Sequence, residues 1–111
     1  MRILIIDDDE STIRSISRQL KDHDLECCMC PVEGVARAKK EDYDIIISDL
    51  RMRPLDGVEV VREIRDFNKK VRIIIMTGFS DCDRINDLEG LGVEEVLIKP
   101  IPKNKILKVI K

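Results

Sequence analysis

The sequence has no surplus of positive charge. Its 20 lysines and arginines face 22 aspartates and glutamates, for a formal net charge of −2 with one histidine. Such a balance leaves no basic footprint for nucleic acid, and no block of one sign forms an interaction tail. Long hydrophobic runs are also missing. The apolar stretches fall far short of the roughly 20 residues needed to span a bilayer, and the N-terminus lacks a signal-peptide pattern. Internal repeats, low-complexity stretches and linkers are absent too. A single cytoplasmic domain over residues 1–111, with neither a membrane nor nucleic acid as a direct partner, is therefore expected.

Cysteine is sparse and bunched. Three of the four lie in CCMC, as Cys27, Cys28 and Cys30, with His23 upstream and Cys82 far away. In a strand, Cys27 would point to one face and Cys28 and Cys30 to the other. They would not close on one ion, and the spacing matches no zinc pattern. Reduced core thiols are the expectation.

Short aliphatic runs bounded by charge or turn residues recur five times, at 3–6, 25–29, 44–48, 71–76 and 96–98. Most are continuous, as in parallel strands covered on both faces. Helical spacing fills the gaps. Ile13, Ile16 and Leu20 form one stripe; Val32, Val35 and Ala36 a shorter one. Val60, Val61, Ile64 and Phe67 form the third, and residues 81–90 carry a weak one. Ile106, Leu107 and Ile110 form the last, opened by Pro102. Asp9 or Ser11 is expected to cap the first helix, and Asp56 the third. Strand and helix alternate five times, so the expected fold is α/β and doubly wound, with helices on both faces of a five-stranded parallel sheet.

In such sheets the chemistry gathers beyond the carboxyl ends of the strands. There the sequence places Asp7 and Asp8, then Asp49, then Thr77 with Gly78, then Lys99 before Pro100. Three carboxylates on one rim suit a hard divalent cation with oxygen ligands. An ammonium and a hydroxyl opposite would hold phosphoryl oxygens, and a central carboxylate is a competent nucleophile for phosphoryl transfer. The run DDDE directly after ILII is then tolerable because a cation sits beside it.

In order and spacing these residues, with Asp56-Gly57 and Gly92, resemble the receiver domain of two-component response regulators over essentially the whole chain. The resemblance implies a flavodoxin-like (βα)5 fold of strand order 2-1-3-4-5 and a role for each residue. Asp49 would be the phosphoacceptor. Asp8 would ligate magnesium (or manganese) directly and Asp7 largely through water, with Asp49 and the Arg51 backbone carbonyl completing the site. Thr77, Gly78 and Lys99 would bind the phosphoryl group, and Lys99-Pro100 would be a cis peptide. Implied partners are a sensor histidine kinase or phosphotransfer protein, and an output domain, target or second copy meeting the 81–111 face. Transcription regulation is one output the resemblance suggests.

Three positions depart from the family. Val96 stands where an aromatic switch residue is usual, and Pro54 follows the customary proline position, occupied here by Arg53. Arg51 and Phe79, both bulky, fill positions that tune water attack on the acyl phosphate, which implies a long-lived phosphoaspartate. Two other readings fit parts of the pattern: a phosphorylation-independent interaction module, supported by Val96, and a haloacid-dehalogenase-like phosphatase, supported by Asp7 and Asp9. The second leaves Asp49 unexplained.

Overall fold

The computed structural model describes residues 1–78 and 82–111, excluding the side chains at 82 and 83. The elements are β1 (Arg2–Ile6), α1 (Glu10–Gln19), β2 (Asp24–Cys28), α2 (Pro31–Lys40) and β3 (Ile45–Asp49). They continue with α3 (Gly57–Phe67), β4 (Arg72–Thr77), α4 (Cys82–Asn86), β5 (Glu95–Ile98) and α5 (Lys105–Ile110). All strand pairs are parallel, in the order β2-β1-β3-β4-β5.

The continuous aliphatic runs divide between two cores. Because side chains alternate along a strand, Leu4 and Ile6 join Ile46, Ile73 and Ile75 beneath α2 and α3. Ile3 and Ile5 join Ile45, Ile47, Ile74 and Met76 beneath α1 and α5, through Ile16, Leu20, Ile106 and Ile110. A strand buried on both sides needs no polar residue, which is why ILII and IIIS read without alternation. Asp9 caps α1, its carboxylate accepting from Ser11 N. Asp56 caps α3 in a reciprocal box with Glu59, a device typically worth about 1 kcal/mol.

Several local expectations are corrected. β2 ends at Cys28 and Cys30 is the N-cap of α2, so only Cys28 is a core thiol, while Cys27 and Cys30 are exposed. α2 is turned so that Pro31, Gly34 and Ala38 face inward and Val32 is exposed. A Cβ on Gly34 would lie 2.6 Å from Ile6 Cδ1, so the helix presents its glycine where it most closely approaches β1. Phe67 is exposed at the end of α3. α4 is five residues long and gives way to turns. α5 starts at Lys105, three residues beyond Pro102, whose carbonyl accepts from Lys105 N.

Candidate functional site

The strand order reverses between β1 and β3, so the crevice at their carboxyl ends lies between elements that leave in opposite directions. Asp7 follows β1 and is wholly buried. Its Oδ1 accepts from Asp9 N at 2.9 Å and its Oδ2 from Lys99 Nζ at 3.0 Å. Asp49, the last residue of β3, accepts from Leu50 N at 3.0 Å, and its Oδ1 lies 3.2 Å from Lys99 Nζ. Lys99 therefore reaches from the end of β5 across to both carboxylates. Asp8 is exposed, and one oxygen each of Asp7, Asp8 and Asp49 lies within 4.8 Å of the others.

The acidic run is also less crowded than its sequence implies. Only Asp7 turns inward. Asp8 faces the rim, Asp9 caps α1, and Glu10 pairs with Arg14 at 3.0 Å. Thr77 ends β4, almost fully buried, with its hydroxyl 3.3 Å from the Gly78 carbonyl. Its own carbonyl accepts from Lys99 N at 2.7 Å, ahead of a cis Lys99–Pro100 peptide.

Burial sets the charge balance here. Burial, and then the neighbouring Asp7 charge, push the Asp49 carboxyl up to about 6, although Lys99 opposes the rise. Burial likewise raises Asp7, against the pull of the Asp9 N–H and Lys99. Burial alone would lower Lys99, but its contacts with Asp7 and Asp49 outweigh that and hold it above its usual value. One ammonium thus serves two buried carboxylates, with a third at the rim. An all-oxygen donor set open to solvent at Asp8 fits a hard divalent cation that keeps several waters.

The resemblance noted above extends to known proteins. The family model described as the response regulator receiver domain matches residues 3–111. The chain belongs to the response regulator receiver family. It is 33% identical over 110 residues to the cell cycle response regulator CtrA of Brucella ovis, covering 96% of this chain and 47% of CtrA. This receiver therefore spans about half the length of the curated relatives it matches. Among solved structures, a response regulator receiver domain protein from Clostridium thermocellum superposes with a TM-score of 0.89 at 26% identity, covering 98% of this chain and 90% of that one. Chemotaxis protein CheY4 of Vibrio cholerae gives 0.88 at 27% identity, covering 98% and 94%. The sheet order and flavodoxin-like fold follow the same pattern, and the receiver's role in two-component signalling is that of phosphoacceptor.

Asp7, Asp8, Asp49, Thr77 and Lys99 thus share one rim, with Gly78 immediately behind Thr77. Arg51 lies in the loop after β3 with its side chain exposed. Val96 is half-buried, packed on the core beneath α3 with Ile85 and Leu91. Phe79 lies outside the described residues. Among the described residues no helix is long and apolar enough to cross a membrane.

A concavity of about 830 Å³ lies elsewhere, between the end of α3 and the amino ends of β4 and β5. It surrounds a seam that sequence spacing does not reveal. Arg65 donates to the carbonyls of Asn68, Val71, Leu91 and Gly92. The guanidinium thereby ties α3 to the turn before β5, which explains a half-buried arginine in structural terms.

Proposed function

We propose that residues 1–111 act as one receiver unit in which Asp49 accepts the phosphoryl group. The observation that supports this reading is the placement of the Asp49 carboxylate at a strand end, 3.2 Å from Lys99 Nζ and grouped with Asp7 and Asp8. An Asp49 oxygen attacks the phosphorus of a phosphohistidine on a kinase or phosphotransfer protein. The phosphorus–oxygen bond forms as the phosphorus–nitrogen bond breaks, and the imidazole leaves. Lys99 compensates charge on the phosphoryl oxygens, and Thr77 supplies a hydroxyl donor from the neighbouring strand. Asp7, Asp8, Asp49 and the Arg51 carbonyl would hold magnesium (or manganese), which when bound neutralises the phosphoryl oxygens. Hydrolysis of the acyl phosphate by the same residues would reset the domain.

The surface at 81–111 is the proposed meeting place for an output domain, target or second copy. CtrA is a cell cycle response regulator by name, and control of transcription is the output we infer by analogy. The test is intact mass after incubation with acetyl phosphate and magnesium, beside Asp49→Asn and a magnesium-free control. One phosphoryl adduct that requires both Asp49 and the metal is expected. An adduct that survives Asp49→Asn would move the acceptor elsewhere.

A further inference from the structure

Val96 cannot rotate as a ring does, so the coupling of Asp49 to the 81–111 surface must use other contacts. One set runs through the loop behind Asp49. Gly57 N donates to Leu50 O at 2.7 Å. A Cβ at Gly57 would lie 2.5 Å from Asp49 O and 2.8 Å from Leu50 Cα. The first turn of α3 is therefore in direct backbone contact with the phosphoacceptor peptide. No side chain cushions it.

Asp56, one residue earlier, uses its two carboxylate oxygens differently. Oδ1 accepts from Glu59 N at 2.9 Å and caps α3. Oδ2 accepts from Arg84 Nε at 2.7 Å. The other side of the same guanidinium donates to Asp87 Oδ2 at 2.7 Å. Arg84 thus fastens α4 and the turn after it to the N-terminus of α3. Among the described residues α4 has little else to hold it. It is too short to be stable by itself, and its apolar attachments among the described residues are Ile85, half-buried, and Leu88 just beyond its end.

We propose that the Asp56–Arg84 ion pair couples the Asp49 site to α4, holding α4 in the position described, so that occupancy of Asp49 works against this pair. The proposal rests on Asp49 as the acceptor. Any displacement of the Asp49 peptide is passed to Gly57 without slack, and Asp56 moves with it. The 2.7 Å charged hydrogen bond, held at its other end by α4, is then stretched or broken. Because coupling is reciprocal, weakening the pair tightens binding at Asp49 by the same factor.

The test compares wild type with Arg84→Gln, Asp56→Asn, the double variant and Arg84→Lys. Asparagine caps a helix about as well as aspartate, so Asp56→Asn removes the charge while keeping α3 intact. The probe is beryllium fluoride with magnesium, an analogue of a phosphoryl group on a carboxylate, titrated by calorimetry. Amide exchange across 84–91 is followed without the probe. Both side chains are about a quarter to a third exposed, so the expected tightening is modest, about threefold for each single variant. The double variant should add nothing further, Arg84→Lys should restore part of the wild-type constant, and exchange at 84–91 should quicken in both single variants.

Equal constants in all five proteins would overturn the coupling while leaving Asp49 as acceptor. Effects that multiply in the double variant would overturn it as well, because the two residues would then act separately. Failure of the wild type to bind the probe would overturn the acceptor reading, and the coupling with it.

Discussion

Asp49→Asn should stabilise the metal-free domain. The Asp49 carboxyl is buried beside Asp7 and titrates near 6 instead of its ordinary 3.8. For an acid raised in this way, the folded state binds the proton more tightly than the unfolded chain does. The associated stability is fully present below pH 3.8 and is lost as pH rises through about 6. At about 1.4 kcal/mol per pH unit, the ionised group costs roughly 3 kcal/mol at neutral pH. That is a ceiling, because Asp7, Asp49 and Lys99 titrate together. A gain of about 1–3 kcal/mol at pH 7 is the expected result.

The assay is urea unfolding of both proteins with EDTA present, at pH 7 and again near pH 4. Asparagine should win at pH 7, and the two curves should draw most of the way together near pH 4, where Asp49 is protonated in the folded state and about half protonated in the unfolded chain. A few millimolar magnesium should stabilise the wild type more than the variant, because the variant has lost a ligand. Equal stability at pH 7, or a gap that persists undiminished at pH 4, would show that the buried carboxylate is not the source of strain.

Lys99→Met should have the opposite effect. It leaves Asp7 and Asp49 without their shared cation, costing about 3 kcal/mol at pH 7; thermal unfolding at pH 7 and pH 5 should show the smaller loss at pH 5. Gly57→Ala forces a methyl to 2.5 Å from the Asp49 carbonyl and should cost about 3 kcal/mol while slowing labelling by acetyl phosphate; a neutral variant would mean that the loop yields freely. Arg65→Met strips the seam of its four carbonyl partners and should lower stability by about 2 kcal/mol, with the rate of Asp49 labelling unchanged. Arg51, with Phe79, implies slow decay of the adduct, and a half-time of seconds by intact mass would refute that.

The centre of the sheet was legible because β1, β3 and β4 are buried on both faces, so each appears as an unbroken aliphatic run closed by a candidate site residue. ILII before Asp7, IIIS before Asp49 and RIIIM before Thr77 each point to one end of a strand, and parallel pairing brings those ends together. Helix faces were less legible. The inward side of α2 is lined by Pro31, Gly34 and Ala38, small residues that a search for branched aliphatics passes over. Phe67 continued the stripe of α3 in spacing, yet the helix ends there and leaves the ring exposed. Contacts such as Arg65 with Leu91 and Arg84 with Asp56 join residues 26 and 28 apart in sequence. No period encodes such pairs.

The opening stretch shows how the fold sustains so unfavourable a site. Ile3, Leu4, Ile5 and Ile6 are each fully buried, and burial of such side chains is worth roughly 1.5–3 kcal/mol apiece. Even after allowance for residual burial in the unfolded chain, the run outweighs the roughly 3 kcal/mol that an ionised Asp49 costs. The same two cores immobilise β1, β3 and β4, which carry Asp7, Asp49 and Thr77. The carboxylates therefore cannot relax apart to relieve their repulsion. Among the described residues the Lys99 ammonium and the N–H groups of Asp9 and Leu50 already ease it, and a proton or an added cation would ease it further. Lys99 already serves both buried groups, and near pH 7 protons are scarce for a group titrating near 6. A divalent ion is the remaining remedy, so the rigidity that makes the metal-free site costly would also prepare it for metal.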